Sequence, residues 1–214
     1  ILGPVEEARQ ATLFLLRTQR HDGGWLHCHR WSLGVRAKAL LGPGKLQWPE
    51  EGDPSVRSCR FATFRVMRGL AALPPELRDD AITKALARSA EFFLSRHVTG
   101  HSDAPHTEAV PKVPRFSKSF ALMGTPLRQT LDQLAVARTL VDLGHATDPR
   151  LRRTLEHVRN VQLPDGKWAA ETASEGMLDQ PVGEPSKWVT LDALVLLRRA
   201  SRSHGKDWDP RPGR

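Results

Sequence analysis

The chain has 214 residues and a mass of 23.9 kDa, with 39% hydrophobic and 26% charged residues. That mix suits one or two globular domains with a sizeable core, and excludes collagen-like, disulfide-scaffold and fully disordered chains. Lys and Arg outnumber Asp and Glu 32 to 24, giving a net charge of +8 and a pI near 10.2. The positive charges are interleaved with acids and form no block of like charge, so nucleic acid is a disfavoured partner. No apolar run is long enough to span a bilayer, and the stretch from Ile1 has no basic region followed by an apolar one, so neither a transmembrane segment nor a signal peptide is expected. Cys28 and Cys59 are too few for a disulfide framework, so free thiols and a cytoplasmic location are expected.

Helical periodicity dominates the pattern. Val5, Ala8, Ala11, Leu15 and Leu16 predict a helix over 4–19. Phe61, Phe64, Met67 and Leu70 predict one over 55–73, capped by Ser55 and stopped by Pro74-Pro75. A third over 77–97 carries Ile82, Leu86, Ala90 and Phe93, with Asp79-Asp80 at its start, where acids favour the helix dipole. Pro126 opens a fourth over 126–143 that Gly144 ends, and Asp148-Pro149 opens a fifth over 149–162. Pro185-Ser186 opens a sixth over 186–203, and a shorter helix is expected at 31–41. No stretch alternates with period two, so strands are not expected. Long Pro- and Gly-bearing loops occupy 42–54, 98–125 and 169–185, and loops of that length are usually functional or mobile. The expected organisation is one helical domain over 1–203 and a flexible basic tail over 204–214.

One heptapeptide pattern occurs twice. Gln19-Arg20-His21-Asp22-Gly23-Gly24-Trp25 follows the first helix, and Gln162-Leu163-Pro164-Asp165-Gly166-Lys167-Trp168 follows the fifth. Both read Q-x-x-D-G-x-W. Asp-Gly makes a tight turn with positive φ at Gly, and the Gln amide can bond orphan backbone groups at the helix end or lie against the Trp ring.

These heptapeptides resemble the QW-type repeat of terpenoid cyclases and protein prenyltransferases. The segment from Ser186 to Leu194 is similar to the start of an inner helix of such a protein. The similarity is nearest to bacterial squalene-cyclase-like or prenyltransferase-like proteins and covers about residues 5 to 200. It implies an all-α, α/α toroid, partial here with about three helix pairs: 4–19, 77–97 and 149–162 outer, 55–73, 126–143 and 186–203 inner. An open ring would expose apolar edges and favour self-association.

The resemblance identifies fold better than chemistry. The D-x-D-D tetrad of class II cyclases and the D-D-x-x-D cluster of class I enzymes are both absent, and six Trp, seven Phe and no Tyr supply few rings for stabilising carbocations. The implied function is binding or transformation of a hydrophobic, isoprenoid-like small molecule in a central cavity, by cyclase- or prenyltransferase-like chemistry if the protein is an enzyme. Asp132, expected in the middle of an inner helix, is the candidate general acid or base, with Arg128 one turn earlier as its ion-pair partner. Trp188, Lys187, Arg128 and Cys59 are candidate substrate contacts. Zinc is a candidate cofactor through Cys28, Cys59 and His97, although their spacing is not a compact zinc motif. Arg57, Arg60, Arg65 and Arg68 either face a diphosphate or form a solvated stripe. The alternative function is a non-catalytic helical interaction module that binds a protein or nucleic acid through a basic face.

Overall fold

The computed structural model describes residues 5–26, 57–96, 123, 132–171 and 182–204. The described residues hold six α-helices and no strand: α1 Val5–Arg17, α2 Arg60–Ala71, α3 Asp80–Leu94, α4 Gln133–Asp142, α5 Pro149–Asn160 and α6 Lys187–His204. A short 3-10 turn, Pro75–Leu77, separates α2 from α3. Among the described residues, backbone pairing between extended residues is confined to two isolated bridges, Trp25 with Cys59 and Ala169 with Pro185. None of these helices is long and apolar enough to cross a membrane. The helix expected at 31–41, most of the three long loops, and the tail beyond 204 lie outside the described residues.

The chain forms two compact units, Ile1–Phe92 and Phe93–Arg214. In the first, Trp25, Phe64, Met67, Leu70, Ile82 and Leu86 form the buried core. Asp79 caps α3 by accepting the Ile82 N–H at 2.8 Å, a more specific role than the dipole interaction expected of an acid here. In the second unit the buried set is built from Leu134, Leu140, Leu151, Leu155, Trp168 and Leu196. Asp148 caps α5 through the Arg150 N–H at 2.8 Å, with Pro149 at the first helical position. α4 ends as its sequence suggests: Gly144 takes φ +92°, and the His145 and Gly144 N–H groups return to Leu140 and Val141 carbonyls.

Two expected helices begin five or more residues later than periodicity suggests. α2 starts at Arg60 because Cys59 is extended (φ −81°, ψ 121°) and its N–H donates to the Trp25 carbonyl at 2.8 Å. The cap is therefore Cys59; Ser55 lies outside the described residues. α4 starts at Gln133 because Asp132 is extended (φ −112°, ψ 163°) and bonds the helix start with its side chain. Asp132 is the N-cap of α4 and not a mid-helix acid.

The two heptapeptides fold alike, each into a clasp between two helices. Gly23 and Gly166 take φ +83° and +82°, which glycine adopts without a Cβ penalty. The Gln19 amide donates to the Gly23 carbonyl at 3.0 Å, and the Gln162 amide to the Gly166 carbonyl at 2.8 Å. Each Gln thus braces its own turn and leaves the helix terminus alone. The Asp22 and Asp165 carboxylates accept the N–H two residues on, at 3.2 and 3.1 Å. Each indole N–H reaches the carbonyl ten residues earlier: Trp25 to Leu15 at 2.8 Å, and Trp168 to Val158 at 2.6 Å. Each Trp backbone N–H donates to a threonine hydroxyl of the following helix, Thr63 or Thr190, at 3.0 Å in both cases. The Ser186 N–H returns to the Trp168 carbonyl at 2.8 Å, as Cys59 returns to Trp25. A clasp therefore pins the end of one helix to the start of the next.

Two ion pairs set the direction of packing inside the second unit. Arg138 of α4 pairs with Asp192 of α6, and Asp142 of α4 pairs with Arg199 of α6. Residue numbers rise together along both helices, so α4 and α6 run parallel, with their N-terminal ends on the same side.

Candidate functional site

The N-terminal ends of α4 and α6 carry the chemistry that the second unit offers. Asp132 closes the first turn of α4: its Oδ1 accepts the Ala135 N–H at 2.7 Å. The carboxyl is only 3% exposed. Burial pushes its pKa up to about 6, and the charge of Asp192 adds to the rise; the Ala135 and Leu134 N–H groups and Arg138 oppose it. Near neutral pH such a carboxyl exchanges a proton readily, unlike an ordinary solvated aspartate. Asp192 is tied to Arg138, and among the described residues no cation pairs with the Asp132 oxygens; Arg128, its expected partner, lies outside them.

Gln133, the next residue, is completely buried. Neither its Oε1 nor its Nε2 has a hydrogen-bond partner among the described residues. A buried amide without partners costs about 1–3 kcal/mol, so an orphan of this kind marks a place where a ligand or water is accommodated. Asp132 and Gln133 are consecutive in the chain: one carries a buried carboxyl of raised pKa, the other an amide that can donate and accept.

Lys187 and Trp188 open α6. Lys187 Nζ lies 5.4 Å from the Trp188 ring centroid, and Trp188 is half-buried while Lys187 is exposed. Ser186, fully buried, caps the helix by accepting the Val189 N–H at 3.3 Å. The sequence-predicted contacts Lys187 and Trp188 thus sit together at the start of α6, the helix that runs parallel to α4. Arg128, Cys28 and His97 lie outside the described residues. Cys59 is half-buried and free, and its structural work is backbone work at the start of α2. Among the described residues no group of three or more His, Cys, Asp or Glu side chains could hold a metal ion. Arg65 and Arg68 are exposed, and Arg65 stacks over Phe61 at 5.1 Å, so this part of the arginine row is a solvated stripe.

Sequence reasoning missed Gln133, Arg138, Asp192 and both threonines. The threonines had a signal. Cys59-Arg60-Phe61-Ala62-Thr63 and Ser186-Lys187-Trp188-Val189-Thr190 share a small–basic–aromatic–aliphatic–Thr pattern, which extends the clasp repeat into the following helix. Nothing local marks Arg138 and Asp192 as partners.

No protein-family model, curated protein or solved structure matches the chain.

Proposed function

We propose that this chain is a helical-repeat protein of the α/α-toroid type that binds an apolar, isoprenoid-like small molecule bearing an oxygen, with Asp132 as the group that meets that oxygen. Support for the toroid comes from two clasps of one geometry and from parallel α4 and α6, as neighbouring inner helices of such a ring would run. The observation that carries the ligand reading is that two consecutive buried residues at one helix start are a carboxyl of raised pKa, Asp132, and an amide without a partner among the described residues, Gln133. The neutral acid donates a hydrogen bond to a carbonyl or hydroxyl oxygen, Gln133 supplies a second polar contact, and Trp188 offers an apolar face.

An acid with a raised pKa is too weak to protonate an isolated alkene, so cyclase-type initiation does not suit Asp132. Proton transfer next to a carbonyl does. The carboxylate takes a proton from the carbon beside the carbonyl and returns it elsewhere on the conjugated chain, so an isomerisation balances without a co-reactant.

The test uses geranylacetone, an isoprenoid ketone whose carbonyl can only accept a hydrogen bond. Binding is read by tryptophan fluorescence at pH 5 and pH 7.5. The wild type should bind more tightly at pH 5, by about tenfold, the scale set by one hydrogen bond to a buried group. Asp132→Asn, whose amide donates at every pH, should bind independently of pH, and Asp132→Leu should not bind. Equal affinity in all three proteins at both pH values would contradict the proposal.

The alternative, an interaction module, is favoured by a different observation: Leu191 and Leu194 lie bare on α6.

A further inference from the structure

Asp192 is an addition to what the two clasps share. The bond from Trp N–H to Thr hydroxyl, common to both, aligns Thr190 with Thr63 and so Asp192 with Arg65. Arg65 is exposed and stacks over Phe61. A clasp therefore closes without an acid two residues after its threonine. Nor does Asp192 alone tie α6 to α4, since Asp142 and Arg199 join them further along.

The place of Asp192 relates it to the buried acid. Arg138 stands six residues after the N-cap Asp132, and Asp192 six residues after the N-cap Ser186. In parallel helices the two caps are therefore level, and the ion pair lies the same distance beyond each. Side chains on a helix lean toward its N-terminus, so both members of the pair reach back toward the end where Asp132 sits. The three charges feel one another. Burial does most to hold the proton on Asp132, and the Ala135 N–H opposes it; the Asp192 carboxylate then strengthens the hold and the Arg138 cation weakens it.

Arg138 donates through Nη1 to Asp192 Oδ1, and among the described residues it has no other acceptor. A guanidinium carries five N–H donors, so the rest of the fork is open to a second carboxylate. One cation thus has two acids in range and is bonded to one of them. Both α5 and α6 pack against α4. The other ionisable groups they bring are Lys187, exposed at the start of α6, and His157 and Arg159 in the last turn of α5. Ahead of α6, Glu184 is exposed and the Glu171 carboxylate accepts the Met123 N–H at 2.8 Å.

We propose that Asp192 is a positioning residue for Asp132: it holds the Arg138 guanidinium on the α6 side and keeps that cation from pairing with the Asp132 carboxyl. An ion pair with Arg138 would fix Asp132 as a carboxylate, which accepts hydrogen bonds and donates none. With Arg138 held, Asp132 retains the proton that a ketone oxygen requires. That consequence rests on the reading of Asp132 as the group that meets the ligand oxygen; the holding of Arg138 does not.

The test is a carbon-13 titration of the Asp132 carboxyl in the full chain without ligand, the signal being assigned by its loss in Asp132→Asn. Asp192→Asn keeps the shape and removes the charge that holds Arg138. Its Asp132 midpoint should fall from near 6 by about one unit, the scale of gaining a neighbouring cation. Arg138→Gln should raise the midpoint. Within Arg138→Gln, adding Asp192→Asn should lower it by clearly less than in the wild type, because no cation is left to release. Asp192→Glu keeps the charge and should restore the wild-type midpoint. Equal drops with and without Arg138 would mean that Asp192 acts by repulsion alone, and would overturn the proposal. A midpoint that Arg138→Gln leaves unmoved would overturn it too, whatever Asp192→Asn does. Geranylacetone separates this result from the ligand reading. Asp192→Asn should bind it about fivefold or more weakly than the wild type at pH 6.5, with the difference closing toward pH 4. Midpoints that move as described in proteins that do not bind geranylacetone would uphold the role of Asp192 and overturn the ligand reading instead.

Discussion

The backbone N–H of Trp168 donates to the Thr190 hydroxyl across the junction of α5 and α6, at the same 3.0 Å that separates the Trp25 N–H from Thr63. Both tryptophans are almost completely buried, so neither N–H has water as a substitute partner. Thr190→Val keeps the side-chain shape and removes the acceptor. It should destabilise the protein by about 1–3 kcal/mol in urea melts, and Thr63→Val should do the same. Thr190→Ser keeps the hydroxyl and should recover most of the loss. If the Val and Ser variants were equally stable, the hydroxyl would not be what closes the clasp.

Gly23 and Gly166 share a backbone conformation but not a neighbourhood, and alanine separates the two effects. At Gly166 the added methyl enters open space, so Gly166→Ala bears only the left-handed backbone penalty of about 1–2 kcal/mol. At Gly23 the same methyl also strikes the Arg88 carbonyl. Gly23→Ala should therefore lose clearly more stability than Gly166→Ala in parallel denaturation curves, and should loosen α3. Equal losses would mean that α3 is not seated on the first clasp.

Arg88 is the side chain that ties α3 to that clasp. Arg88→Met keeps much of the stem and removes both donors to Gln19 and Arg20. A loss of about 1.5–3 kcal/mol is expected, the usual range for hydrogen bonds from a charged donor. Faster amide hydrogen exchange in Gln19–Trp25 than in Gln162–Trp168 should accompany it.

Asp132 gives stability a definite dependence on pH. Its folded-state pKa, about 6, lies above the ordinary 3.8, so the folded protein holds this proton more tightly than the unfolded chain. Its contribution is fully present below pH 4 and is lost as pH rises through 6. The whole span is about 3 kcal/mol at most. Asp132→Asn keeps an oxygen to cap Ala135 and cannot ionise. It should flatten this part of the profile and be more stable than the wild type at pH 7, by urea melts across pH 4 to 7. A wild-type profile that rises with pH over that window, with no difference in the Asn variant, would contradict the burial of the carboxyl.

What could be read from sequence was what is local. The Gln and Asp of each clasp bond within its seven residues, and the Asp-Pro and Gly signals at α5 and α4 act within one turn, so composition and spacing disclosed them. The start of α2 was misjudged because Cys59 is held extended by Trp25, a residue from the preceding helix junction. Asp132 was misplaced because a mid-helix acid and an N-cap acid look alike when apolar residues lie on both sides; only the bond to the Ala135 N–H decides between them. The pairing of Arg138 with Asp192 joins two helices far apart in sequence, and no periodicity in either one announces it. The threonine partners of the tryptophans were legible in principle, through the matching pentapeptides that open α2 and α6.

Carbon-13 NMR titration of the Asp132 carboxyl, with and without geranylacetone, tests the proposed binding site most directly. The free protein should show a midpoint near 6, and the ligand should raise it, because the ketone accepts a hydrogen bond only from the protonated acid. A midpoint in the ordinary carboxylate range, or one near 6 that the ligand leaves unmoved, would contradict a role for Asp132 in holding that oxygen.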